Sequence, residues 1–417
     1  MSSPALAARR ARLAVAALFF TNGALFANLI PRYPQIKADL GLSNAVYGLS
    51  VAAFPTGAIV AGMAAGILVR RFGSAPVAVA GTLLTSVGVL AAGLSPAVAL
   101  FAAALFLAGS MDAITDVAQN AHGLQVQRLY GRSIINSFHA IWSIGAVTGG
   151  AMAAAAIALH LPLGVHLGIS GVLFAIVALV ALRFCLPGPS TEPEPVAKAS
   201  AVRSAVSPRV ALMVGALVLI AIGGTLVEDA GNSWAALYLS GSLHAAAAVA
   251  AWGYIALVGA QFLGRLIGDR LVDRFGQRAV ARAGGVIVAA GMGLALAVPS
   301  VPGTILGFAA AGFGVATLVP AAMHEADELP GLKPGTGLTV VSWLMRLGFL
   351  LSPPVVGAVA DATSLRAGLL VVPAAGVLVI ILAGVLQPKR PAASQSERAE
   401  APQPERAAAS QPEPERA

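Results

Sequence analysis

Twelve stretches of this chain are each apolar and long enough to cross a lipid bilayer, and that pattern bounds its fold more tightly than any other feature. The stretches are 12–31, 45–69, 76–95, 97–121, 134–158, 165–185, 209–239, 246–267, 279–298, 302–323, 336–359 and 365–386. A span needs roughly 20 apolar residues to cross about 30 Å of hydrocarbon. Inside lipid every backbone N–H and C=O must find a partner within the chain, so runs of this length are helices. The expectation is an all-α integral membrane protein of twelve transmembrane helices. Of the 417 residues, 58% are hydrophobic and 11% charged, whereas soluble domains carry about 25% charged residues. The 46 glycines fit helices packed closely through small side chains. The first run continues to Ile30, past the length of a cleaved leader, and reads as a retained helix.

The net charge is +8. Its placement between apolar runs points to orientation in a membrane rather than to nucleic acid. With twelve spans both termini share one side, and 22 of the 26 lysines and arginines fall on it. The positive-inside rule therefore places both termini in the cytoplasm of a cell with the chain in its inner membrane. The domain reading is a cytoplasmic N-terminus at 1–11, helix bundles at 12–186 and 209–387, a linker at 187–208, and a disordered tail at 388–417. The single cysteine, Cys185, rules out an intrachain disulfide. No Gly-rich phosphate loop points to ATP, and no His, Cys or acid spacing points to a metal. No cofactor, no nucleic acid and no enzymatic activity are expected, and the chain reads as a monomer.

The two bundles echo each other. Arg71-Phe72-Gly73 recurs as Arg274-Phe275-Gly276 at an offset of 203, and the same offset pairs Gly81 with Gly284, Gly88 with Gly291, Pro96 with Pro299, Gly109 with Gly312 and Gly145 with Gly348. The stretches GILVRRFGSAP, from Gly66, and DRLVDRFGQR resemble the signature loop of the major facilitator superfamily, Gly-x-x-x-Asp-Arg-x-Gly-x-Arg. NGALFANLIPRYPQIKADLGLS, DVAQNAHG, SFHAIWSIGA and GRLIGDRLVDRFG resemble its fucose-permease-like branch. The resemblance implies a two-half carrier with gating roles for Gly66, Arg71, Gly73, Asp273, Arg274 and Gly276. It also implies a latch between halves at the loop acid, and here Arg70 stands in that acid's first-half place. GAVTGG at 145–150 is similar to an exporter motif with Ala146 for its proline. The branch's symporters carry acids in the first and fourth helices. Here the first helix offers only Asn22 and Asn28.

The remaining signals are polar groups inside apolar runs, where a carboxylate is costly. Asp112, Asp116 and Asn120 recur at i, i+4 and i+8 on one face of the fourth helix. All three read as cavity-lining, with Asp112 or Asp116 as the proton carrier, or else the two acids are a structural pair. His139 lies at the depth of Asp116, so an Asp–His relay competes with a packing role. Adjacent Glu228 and Asp229 point about 100° apart, one toward the cavity and one toward a neighbouring helix. Glu228 shares a face with Asn232, and Trp234 reads as an interfacial anchor. Arg346 lies near midplane at the depth of Asp112, and either bridges to it across the halves or pairs within its own half. Trp142, Trp252, Trp343, Phe54 and Tyr47 are stacking candidates. The functional expectation is a secondary transporter coupled to protons, leaning to export of a small organic solute. A sugar-like importer and a non-transporting receptor remain as alternatives.

Overall fold

The computed structural model describes residues 4–131, 134–186, 207–333 and 335–388. The expected linker lies outside the described residues except for Ser207 and Pro208, and so does the expected tail except for Pro388. All regular structure among the described residues is helical. Among the described residues, twelve helices are long and apolar enough to span a membrane: α1 (Leu6–Asp39), α2 (Asn44–Phe72), α3 (Ser74–Gly93), α4 (Val98–Tyr130), α5 (Ile135–Ala158), α6 (Leu163–Leu182), α7 (Pro208–Ser242), α8 (Ala247–Phe275), α9 (Gln277–Ala297), α10 (Val301–Asp327), α11 (Thr336–Ala362) and α12 (Leu365–Val385). The twelve runs are where the sequence puts them, but several ends differ. Helix begins at Pro4, inside the stretch expected as a cytoplasmic N-terminus. After Ala27, α1 bends and continues through a 3-10 turn at Ile30–Arg32 to Asp39. Pro31 and Pro34 each fall in the first turn of a new segment, where a missing N–H costs nothing.

The first six and the last six spans pack by the same scheme. In the first six, α2 packs on α4, α3 on α4, α1 on α5 and α3 on α6. In the last six, the corresponding pairs are α8 on α10, α9 on α10, α7 on α11 and α9 on α12. Two close approaches repeat at the offset of 203. A Cβ at Gly109 would collide with the Phe54 carbonyl, and one at Gly312 with the Leu257 carbonyl. The signature turns match as well: Gly73 has φ 88° and ψ 151°, and Gly276 has φ 84° and ψ 155°. These positive φ values suit glycine alone at low cost.

The two sets of six meet along two seams. One joins α5 to α8. The other joins the first segment of α2 (Asn44–Val51) to the second segment of α11 (Arg346–Ala362). An aromatic plug closes the side away from the termini. Tyr33 and Tyr47 rings lie 5.7 Å apart, Tyr47 meets Trp234 edge-on at 5.0 Å, and the Tyr47 hydroxyl donates to the Ser233 carbonyl at 2.8 Å. All three rings are fully buried. Trp234 is therefore a plug residue and not the interfacial anchor expected from its position near a span end. Trp252 and Trp343 are exposed, at 52% and 53%.

Candidate functional site

Between the halves lies a cavity of about 420 Å³. Its walls come from α1 (Asn22, Phe26, Tyr33), α2 (Phe54), α4 (Asp112, Asp116), α5 (Trp142), α7 (Glu228, Asp229, Asn232), α8 (Tyr254, Gln261) and α11 (Arg346, Phe349). Asp116 and His139, toward the termini, are exposed, whereas Tyr33, Tyr47 and Trp234 on the other side are buried. The cavity is thus closed away from the termini and open toward them.

The first-half wall is a hydrogen-bond network centred on Asn22. Its Nδ2 donates to Asp112 Oδ1 at 2.8 Å, and its Oδ1 accepts from Trp142 Nε1 at 2.8 Å and from Gln119 Nε2 at 3.4 Å. Gln119 also donates to Asp116 Oδ1 at 3.4 Å, and Asn120 Nδ2 donates to the same oxygen at 3.0 Å. The i, i+4 spacing of Asp112, Asp116 and Asn120 on one continuous helix makes this possible. Asn120 itself is set back from the cavity. It stands between Asp116 and His139, whose Nε2 lies 3.1 Å from Asn120 Oδ1. The expected Asp–His contact is therefore replaced by an Asp–Asn–His chain. His139 lies one side chain too far for a direct bond.

The second-half wall differs from its sequence reading in two respects. Glu228 and Asp229 both face the cavity. The 100° between them is accommodated because α7 is wedged between α8, which presents Gln261 and Tyr254, and α11. Glu228 Oε2 accepts from Gln261 Nε2 at 2.7 Å and has Arg265 3.8 Å away. Asp229 is buried with Ser233 Oγ at 3.4 Å. Arg346 lines the cavity but does not bridge to Asp112, whose carboxylate is taken by Asn22. Three buried polar atoms of the lining have no hydrogen-bond partner among the described residues: Tyr33 OH, Asn232 Oδ1 and Arg346 Nε.

Asn28 is not a cavity residue. It is fully buried, donates to the Ala24 carbonyl at 2.8 Å and contacts His166 Nε2 at 2.8 Å, satisfying the backbone where α1 bends. The signature residues Gly66, Arg71, Gly73, Asp273, Arg274 and Gly276 sit toward the terminal-side ends of α2 and α8, apart from the cavity. Arg71 lies over the Phe72 ring and Arg274 over the Phe275 ring, each 5.3 Å from the centroid. Trp142 and Phe54 line the cavity, with Phe54 stacked on Phe26 at 4.0 Å. Sequence reasoning missed Tyr33, Gln119, Tyr254 and Gln261. Uncharged polar residues carry little signal in a helix until the packing is known.

The sequence profile of the Major Facilitator Superfamily matches residues 15–228 and 219–412. An uncharacterized transporter, y4wD, of Sinorhizobium fredii is 30% identical over 358 residues, covering 86% of this chain and 93% of that protein. Among solved structures, a mutant of the nucleoside transporter NupG is similar with a TM-score of 0.73 at 15% identity, over 90% of this chain and 100% of that one. A D-xylose-proton symporter reaches 0.67 at 15% identity, over 93% and 99%. At that identity the likeness is one of fold.

Proposed function

The chain belongs to the major facilitator superfamily, and from that premise we propose that it is a proton-coupled secondary carrier of the fucose-permease-like branch. It moves a small organic solute through the central cavity by alternating access of its two six-helix bundles. Both termini lie in the cytoplasm, so the cavity as described faces inward. The observation that carries the reading is the Asp112–Asn22–Trp142 network together with Asp116, set in the cavity wall between halves that close on one side only. A carboxyl at that place can take a proton from one side and release it to the other as the halves rock. Asn22 and Gln119 hold the carboxyls without competing for the proton, since a carboxamide does not titrate.

The first helix supplies Asn22 and no acid to this network, which supports exchange of solute against protons, and hence export. A second reading, import of a sugar-like solute with protons, draws on the unpartnered Tyr33 OH and Asn232 Oδ1. A phenol donor and a carboxamide acceptor in one cavity lining suit hydroxyl groups. The test is proton movement in liposomes containing a pH dye, with sugars and hydrophobic cations added outside. Wild type is expected to move protons with one compound class. Asp112→Asn and Asp116→Asn are expected to bind that class without moving protons. Proton release from the lumen marks exchange, and proton entry marks symport. Asn variants that move protons like wild type would make the aspartates structural. Saturable binding with no flux in any vesicle would make the protein a receptor.

A further inference from the structure

The seam between α2 and α11 carries a contact that the cavity chemistry does not use. Asp361, in the last turn of α11, turns its carboxylate onto the first turn of α2. Its Oδ1 accepts from the Asn44 backbone N–H and from Asn44 Nδ2, both at 2.9 Å, and its Oδ2 accepts from the Ala45 backbone N–H at 2.7 Å. The next N–H, of Val46, is taken by Ser43 Oγ at 3.2 Å. The first N–H groups of a helix have no partner within it, and its N-terminus attracts negative charge. Here two of them are satisfied by a residue of the other half. Close backbone approach accompanies the contact: a Cβ at Gly48 would collide with the Pro353 carbonyl, and one at Gly357 with the Asn44 carbonyl.

The internal repeat supplies a control within the same molecule. At the offset of 203, Asn44 corresponds to Ala247 and Asp361 to Ala158. The α5–α8 seam is therefore the pseudo-symmetric partner of the α11–α2 seam. It has no acid at this place, and the N-cap of α8, Ala246, makes no side-chain cap bond. Packing at such a seam does not by itself require a carboxylate. The Asp361 carboxylate is also exposed, so water replaces its partners at little cost when the helices part.

We infer that Asp361 is a positioning residue of the transport cycle, fastening α2 to α11 while the cavity faces the termini and releasing when it opens to the other side. The inference rests on the alternating-access reading above. Removing the charge leaves the cavity untouched but weakens only one of the two end states. The ratio of the state open away from the termini to the other then rises, by about two- to fivefold for the loss of a charge at an exposed helix N-terminus.

The experiment uses full-length protein with Cys185→Ser and spin labels at Ala97→Cys and Ser300→Cys. These two positions are exposed, lie on the side away from the termini and are equivalent across the halves. A second pair, Phe72→Cys and Phe275→Cys, reports the terminal side. Asp361→Asn is expected to shift weight to longer 97–300 distances and shorter 72–275 distances. Asp361→Glu, which keeps the charge, is expected to restore much of the wild-type distribution. Asn44→Ala removes one donor and leaves the helix intact. It gives a smaller shift of the same sign and serves if Asp361→Asn does not fold. Gly48→Leu wedges the seam without touching the carboxylate. If Gly48→Leu widens the 97–300 distance and folded Asp361→Asn and Asn44→Ala leave it unchanged, the halves alternate but Asp361 does not hold them. If no variant changes either distance, alternating access itself fails, and the inference with it.

Discussion

Asn22 owes its place to a division of chemistry among single residues. A carboxylate at that point would repel Asp112, and a serine would be too short to reach both Asp112 and Trp142 Nε1 at once. The carboxamide offers a donor on one side and an acceptor on the other. Cys185 shows the opposite case, a group silenced by its surroundings. It lies beyond the end of α6, and burial pushes its thiol up to about 11. The reactive form is the thiolate, so raising the pKa removes it at neutral pH. Maleimide labelling of Cys185 in the folded protein is expected to be slow at pH 7 and to accelerate roughly tenfold per pH unit until about pH 11. Labelling at pH 7 as fast as that of an exposed cysteine in the same protein would contradict it. Asp112, Asp116, Glu228, Asp229 and Arg346 are visible in the sequence because charge inside an apolar run is costly. Asn22 and Asn28 are six residues apart on one helix, and nothing local says that one faces the cavity while the other pins a bend. Gln261 and Tyr254 are hidden for the same reason.

Single glycines set the packing of whole elements. Gly109 on α4 meets the Phe54 carbonyl of α2, and Gly312 on α10 meets the Leu257 carbonyl of α8. Both pairs are separated by the offset of 203, so the two halves use one joint twice. A methyl added at either place has backbone on the far side and nowhere to go. Gly109→Ala and Gly312→Ala are each expected to destabilise the protein by about 1–3 kcal/mol, the usual cost of overpacking. Gly41→Ala and Gly215→Ala serve as controls for different reasons. Gly215 has nothing within 4 Å of a Cβ, whereas Gly41 has open space but a φ of +61°. Thermal unfolding in detergent separates these effects: only Gly215→Ala, in open space inside a helix, should not lower the melting temperature. The repeat was legible as matched glycines, but not the carbonyls they face. The offset gives register along the chain and says nothing of which neighbour fills it.

For the molecule as a whole, the cavity wall carries four acidic side chains, Asp112, Asp116, Glu228 and Asp229, against Arg346. An anion gains little from such a wall and is repelled wherever one of these acids is ionised. Neutral and cationic solutes are expected to bind, and anions of similar size are not. Competition against any transported solute, with matched amine, alcohol and carboxylate analogues, decides the point; tightest binding by the carboxylate would contradict it. The number of spans and their grouping into sixes could be read from hydropathy and the repeat. The state of the cycle could not, because the seams form between residues far apart in the chain, 317 positions for Asn44 and Asp361 and about 100 for the α5–α8 seam. The four tryptophans end up in three settings. Trp142 lines the cavity, Trp234 is sealed in the aromatic plug, and Trp252 and Trp343 lie on the exposed surface. The molecule therefore carries its own optics. With the two exposed indoles replaced by phenylalanine, emission from Trp142 reads the hydrogen bonding of the Asn22 network and emission from Trp234 reads the wetting of the plug, so two events of one cycle can be followed in two colours without an added dye.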